Sequence, residues 1–490
     1  MGRGKTAASM VSLVRPLAII VIFGLLSPLL AADAASGNGW GTAEPVENGD
    51  SGTARYPQLS VDREGNAIVV YEQFDGVRVN ISSSRYEVGK GWGTPQLVET
   101  DDTGDATNPQ VSTDGSGNAI AVWIQSSQIW SNRYVLGDGW GDAQLIEAND
   151  SAHSYEPQVA MNVYGNAVAV WIESSKILSN RYAVGLGWEN VVPIGNSTRY
   201  ALNPQVAMDA SGNAIVLWDT IEDYGPGQIW ANRYVEGRGW GVQECIQANN
   251  SKESAYLPQV SMDDSGNAVA VWTQSRDVYL DDVWSNRYVA GSGWGTAELI
   301  ETDSSLSAAY PEVSMNGAGN ATAVWRLYDN NDPRSSAIWS NRYTVGVGWA
   351  VEELIQTNVS GGFAFECQVA MDRSGNAVAV WVQKNNDSAY RVWSNRFVTG
   401  LGWAEAQIIE TTPSGDAQSP QVSVDDSGNA IAVWLQSPQL WSNRYTLTNK
   451  APPQTTDDIS PLVISSVVII AAVVLVVIML LVYRRKKETL

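Results

Sequence analysis

The chain is 490 residues long and short of several things. It has 1 His, which excludes paired-histidine metal motifs and leaves little room for imidazole chemistry. Its 2 Cys cannot build a disulfide framework or a cysteine-rich zinc site. Positive charge is scarce as well: 30 Lys and Arg stand against 52 Asp and Glu, a formal net charge of −22. A nucleic-acid partner needs clustered basic residues, so that class is excluded. No phosphate-cradling glycine loop, nucleophile elbow or HExxH motif occurs, and the sequence assigns no catalytic residue. Only 5 Phe are present, beside 21 Trp. That excess organises the rest of the reading.

The two ends predict a compartment. Arg3, Lys5 and Arg15 precede an apolar run from Pro16 to Ala32, and Ala32-Asp33-Ala34 is a small-residue cleavage pattern. Residues 1–34 therefore read as a secretory signal peptide, with an uncleaved anchor as the competing reading. Near the other end, Leu462 to Tyr483 is 22 uncharged residues rich in Val, Ile and Leu. At about 1.5 Å per residue, a helix of that length crosses a hydrocarbon core of about 30 Å. Arg484, Arg485, Lys486 and Lys487 follow at once, which places residues 484–490 in the cytoplasm. The expectation is a single-pass plasma-membrane protein with its N-terminal domain outside the cell and a linker at 448–461. Without the basic ends, 23 basic residues remain against 50 acidic ones, a net charge of −27.

Between the ends lies a repeat array, and repeats take precedence in reading a sequence. Gly-Asn-Ala starts at Gly65, Gly117, Gly165, Gly212, Gly266, Gly319, Gly375 and Gly428, 47 to 56 residues apart. An Arg-aromatic pair follows each copy, from Arg85 to Arg444, and Gly-Trp also occurs eight times, from Trp40 to Trp403. In the unit around Gly266, Pro258–Met262, Ala268–Gln274, Val283–Val289 and Trp294–Glu301 read as four strands. They alternate with period two and are separated by glycine turns. Four strands in about 50 residues, eight times over, predict an all-β, eight-bladed β-propeller at 37–447.

The order of the pieces predicts closure. An orphan fourth strand, Trp40 to Val46, precedes the first unit, and the last unit stops after its third strand at Leu447. The N-terminal strand can complete the last blade, which leaves no exposed sheet edge. All 21 Trp then fall on three positions: eight in Gly-Trp, seven closing the second strand and six opening the third. They read as packing between blades.

These units, for example Pro420 through Asp425-Asp426-Ser427-Gly428-Asn429-Ala430 to Trp434, resemble propeller repeats of secreted and surface proteins of bacteria and archaea. The resemblance covers about 410 residues and implies the fold. The turn is distantly similar to the Asp-box hairpin of sialidases, but Asp425 and Trp434 lie nine residues apart.

Strand order puts the two near-constant turns of every unit on one face. The loops between second and third strands, and between blades, fall on the other. Variable loops on a rigid scaffold are where binding resides. The ligand-binding residues expected there are Asp219, Tyr224, Asp277, Tyr279, Asp281, Asp282, Tyr328, Asp329 and Asp332, in loops read as Asp219–Gly227, Arg276–Asp282 and Tyr328–Ser336. Ca²⁺ is a conceivable ligand of the acidic loops, though none has the EF-hand spacing, and solvated loops are the simpler reading. No other cofactor is implied. The repeated Arg has two readings. In one it joins Trp and a fourth-strand Glu (Glu147, Glu301, Glu410) in a site like that of fucose-binding propeller lectins. In the other it pairs with the turn Asp, as Arg287 with Asp263. His153 reads as an exposed loop residue, and Cys245 and Cys367 are too far apart to bridge. Glycosylation sequons stand at Asn80, Asn149, Asn196, Asn249, Asn358 and Asn386; a seventh, Asn320, belongs to the turn motif. The sequence thus points to an extracellular binding or adhesion module for a glycan or a protein. The alternatives are a propeller hydrolase or lyase acting on glycans, and a structural envelope component.

Overall fold

The computed structural model describes residues 39–447, except 48–51, 101–103, 148–151, 196–199, 222–224, 248–252, 277–279, 303–304, 357–362, 385–388 and 412–414. The expected signal, linker, membrane helix and tail lie outside the described residues. Among the described residues no helix is long and apolar enough to cross a membrane.

The fold is an eight-bladed β-propeller, with blades at 53–97, 106–145, 154–193, 200–245, 255–299, 307–354, 363–408 and 417–446. In the fifth blade the strands are Ala255–Met262, Ala268–Ser275 and Asp281–Val289, followed by a broken fourth made of Gly293–Trp294 and Glu298–Leu299. Both short pieces pair with the third strand. The expected continuous fourth strand is thus two bridges flanking a kink. The first strand starts three residues earlier than its apolar pattern suggested.

The second strand explains the packing. Its residues alternate between two neighbours. Ala268, Ala270 and Trp272 face the fourth blade, in a cluster with Ile215, Leu217 and Ile229. Val269 and Val271 face the sixth blade, against Ala321, Ala323 and Trp325. Small Ala lets one sheet approach closely, and Trp fills the gap where the twisted sheets diverge. Eight such clusters occur, one at each interface between adjacent blades, so both faces of every blade are covered. All seven second-strand Trp are almost fully buried, as the packing reading expects.

The ring closes as expected. Gly39–Trp40 and Glu44–Pro45 pair with Gln439–Thr446, and Val46 is buried between the eighth and first blades.

The constant turns are built by their own side chains. Asp263 Oδ1 accepts hydrogen bonds from the Ser265 and Asn267 amides, and Oδ2 accepts from Asn267 Nδ2 at 2.7 Å. Asn267 Oδ1 accepts from the Ala290 amide and ties the two constant turns together. Gly266 has φ +79°, and a Cβ there would lie 2.7 Å from Asp209 Oδ2 of the preceding blade. Glycine is required on both counts.

The repeated Arg does not pair with that Asp. Arg287 lies over the Tyr343 ring of the next blade, 5.1 Å from its centre, and no Arg287–Asp263 ion pair occurs among the described residues. Asp263 is already occupied by its turn. Such stacks run blade to blade around the whole ring and close with Arg444 over Tyr86. The Gly-Trp indole packs edge-on against the same aromatic residue, as Trp294 on Tyr288. The adjoining Asn is a second clamp: Asn286 Nδ2 donates to Ile246 O in the preceding blade and to Gly295 O in its own.

Candidate functional site: the mouth of the central channel

The eight first strands stand side by side around a central channel, linked by serines such as Ser261, whose Oγ accepts from the Met315 amide. Each first strand carries a β-bulge near its variable-loop end. One residue of every bulge has positive φ, between 47° and 55°: Tyr56, Asn108, Glu156, Asn203, Leu257, Tyr310, Glu366 and Ser419. None is glycine. Proline follows in seven blades and Cys367 in the seventh. Proline is tolerated because the bulge takes its nitrogen out of the ladder. A Gln or Glu comes next and lines the channel.

Positive φ costs a non-glycine residue about 1 kcal/mol or more. Three of the bulge amides are braced by a Glu carboxylate from the preceding blade. Asn108 N donates to Glu72 Oε1 at 2.9 Å, Asn203 N to Glu156 Oε2 at 2.8 Å, and Ser419 N to Glu366 Oε2 at 2.7 Å. Burial raises the Glu72 and Glu366 carboxyls above the usual range. Between the bulges lie two cavities, one of 400 Å³ over the first four blades and one of 520 Å³ over the sixth, seventh, eighth and first. Tyr56 and Tyr310 stand well exposed at the edge, at 59% and 58%.

The expected site residues divide. Tyr224, Asp277 and Tyr279 lie outside the described residues, as do Asn149, Asn196, Asn249, Asn358 and Asn386. Asp219 is not in a loop. Its strand continues to Ile221, and its carboxylate is buried and accepts from Asn203 Nδ2 at 2.8 Å. Asp282 is buried too, in a strand, 3.3 Å from Arg276. Asp281 opens that strand and accepts from Ser275 Oγ, while its amide donates to Ser307 Oγ. The predicted loop Tyr328–Ser336 is an extended hairpin. Tyr328 and Asp329 end one strand and Asp332 begins the other, and Asp329 Oδ1 accepts from the Asn331 amide in the turn between them. Asp219 and Asp282 are thus braces of the scaffold, whereas Asp281, Tyr328, Asp329 and Asp332 retain some exposure. Among the described residues no group of three or more His, Cys, Asp or Glu could hold a metal ion. Asn80 lies in a strand and donates to Asp75 Oδ2. His153 is exposed beside Tyr155.

The lectin-like triad is not assembled. The fourth-strand Glu sits at the variable-face end, where Glu147 accepts from the Ile129 amide and Glu410 from the Val392 amide. Glu301 is buried, and burial beside Asp282 pushes its carboxyl up to about 8. Asp282 and Arg287 are five residues apart on one strand, about 17 Å at the usual rise. Arg and Glu therefore face opposite ends of the blade.

No protein-family model matches the chain, and no curated protein matches it. Solved structures do. A protein of unknown function from Dyadobacter fermentans DSM 18053 aligns over 83% of this chain and 98% of its own at 11% identity, with TM-score 0.41. The β-propeller domain of the Trilobed protease from Pyrococcus furiosus aligns over 74% of this chain and 100% of its own at 9% identity, with TM-score 0.43. The polysaccharide lyase Uly1 aligns over 81% and 90% at 9% identity, with TM-score 0.46. The likeness is to the fold.

Burial raises the Asp219 carboxyl from 3.8 to about 6. The folded chain then holds a proton that the unfolded chain has released. This group's contribution to stability therefore falls as pH rises from about 4 through about 6. Asp219→Asn should remove that fall, a relative gain on the order of 3 kcal/mol between pH 3 and pH 8. Urea midpoints of the two proteins across that range check it. Parallel pH profiles would contradict it.

Proposed function

We propose that the chain is a surface-anchored binding module that takes a glycan at the channel mouth. One observation carries the reading. The bulge backbone is the same in all eight blades, yet its strained position holds Tyr, Asn, Glu, Leu or Ser. If the scaffold alone were served, glycine would relieve the strain at every one. Constant backbone under varied, partly exposed side chains is how a rigid frame presents recognition groups. Exposed Tyr offers a rigid apolar face with a polar tip, while Asn, Gln and Glu offer hydrogen bonds, a combination suited to hydroxyl-rich rings.

The secretory signal and membrane helix expected at the ends would carry this face outward on the cell surface. Screening the full chain against a glycan array tests the reading. Binding of a defined set of glycans is expected; binding to none, or to proteins only, contradicts it.

A further inference from the structure

Two positions on the channel wall depart from the repeat in a single blade each, and a third, variable one carries its single cation beside them. The channel-lining Gln of seven blades is Glu only at Glu312, and the bulge proline is replaced only by Cys367. The residue after the second-strand aromatic is a carboxylate, an aliphatic or Thr in seven blades and a cation only at Arg326. The three come from two adjacent blades, and all line the 520 Å³ cavity together with Tyr310, Phe365 and Gln368.

The chemistry of the three converges. Arg326 is half-buried, with its guanidinium carbon 4.8 Å from the centre of the Tyr328 ring and 4.9 Å from that of Phe363. Ring faces this close hold a guanidinium and lessen its hydration. Glu312 Oε1 accepts from Gln259 and Gln368 Nε2, each at 3.2 Å. Burial pushes its carboxyl up to about 8. The Cys367 thiol lies 3.8 Å from Tyr310 O and joins the two blades where proline stands elsewhere. The cavity thus offers one cation and the side-chain amides of Gln368 and Gln421, with the ring of Tyr310 at its edge, while the Glu366 carboxyl on its wall accepts from the Ser419 amide. A planar anion with two acceptor oxygens fits that set, because a guanidinium fork meets a carboxylate with two parallel hydrogen bonds.

We propose that this cavity recognises a carboxylate-bearing sugar unit, with Arg326 as the ion-pair partner. The proposal rests on the glycan reading above and deepens it.

A uronic-acid oligosaccharide and its carboxyl-reduced counterpart are the probes, and the full chain is the receptor. The acidic form should bind about tenfold more tightly or better, as a charge-assisted contact implies. Arg326→Gln should abolish that preference and leave affinity for the reduced form unchanged. Arg326→Lys keeps the charge without the fork and should give an intermediate preference. Glu312→Gln restores the residue of the other seven blades and takes an acidic group out of the cavity, so it should leave the preference intact or raise it. Equal binding of both probes by the unaltered chain overturns the proposal and leaves the glycan reading standing. A preference that survives Arg326→Gln also overturns it. Failure to bind any glycan overturns both.

Discussion

A full-length chain lacking residues 39–47 should lose its cooperative thermal transition, or melt about 10 °C or more lower. Those nine residues make the outer strand of the eighth blade. They supply the bridges Gly39↔Thr446, Trp40↔Tyr445, Glu44↔Ser442 and Pro45↔Trp441. Val46 is completely buried between the eighth and first blades. Glu47 accepts from Gln73 Nε2 of the first blade at 2.8 Å and from the Leu440 amide. Loss of a packed Trp, a buried Val and several hydrogen bonds costs on the order of 5 kcal/mol. That is comparable with the whole stability of many folded domains. The deletion also bares the edge of Gln439–Thr446, so aggregation is expected on heating. Scanning calorimetry beside light scattering decides the matter. A truncated chain that melts with the intact one would show that the N-terminal strand is dispensable.

Trp272→Ala carries the second large effect. The indole is completely buried, packs against the preceding blade, and donates from Nε1 to Gln274 Oε1 at 3.2 Å. Removing it leaves a cavity between two sheets and takes away a hydrogen bond to Gln274, for about 3–5 kcal/mol. Trp272→Phe should cost less, because it keeps most of the apolar volume. Urea midpoints rank the three proteins. A loss below about 1 kcal/mol for Trp272→Ala would mean the blades do not depend on this contact. The same test at Trp294, half-buried against Tyr288, should give a smaller loss.

The frame was legible because repetition multiplies weak signals. One Gly-Asn-Ala says little; eight at near-even spacing say propeller. The orphan strand from Trp40 to Val46 revealed closure, since a pattern lacking its last element must find it elsewhere. Contacts across blades were less legible. Arg287 and Asp263 are both near-constant and opposite in charge, which suggested a pair. Sequence does not show that Asp263 is consumed by its own turn, or that a tyrosine from the next blade lies over the guanidinium.

The site was harder still. Asp219 read as the start of a loop because glycine and proline follow at 225–227, yet its strand runs on and buries the carboxylate. The channel mouth was missed, although a signal was present. Proline recurs within seven of the eight first strands, where a regular ladder would exclude it. That marks a bulge, and the residue before each proline is the one that varies. Periodicity alone does not report positive φ, and the expected first strand began only at the proline, as at Pro258, so the residue before it fell outside the strand. The singletons Glu312, Arg326 and Cys367 were visible in the chain, but only the ring brings them around one cavity.

The central claim is that the bulge side chains without a bracing role serve a ligand and not the fold. The direct test replaces Tyr56, Asn108, Leu257, Tyr310 and Ser419 together by glycine in the full chain and keeps Glu156, Asn203 and Glu366, whose side chains brace the scaffold. Thermal stability and glycan-array binding are then measured on the same preparation. Glycine suits positive φ, so the melting temperature should hold or rise, while glycan binding should vanish. Unchanged binding, or collapse of the fold with no separable loss of binding, would contradict the account.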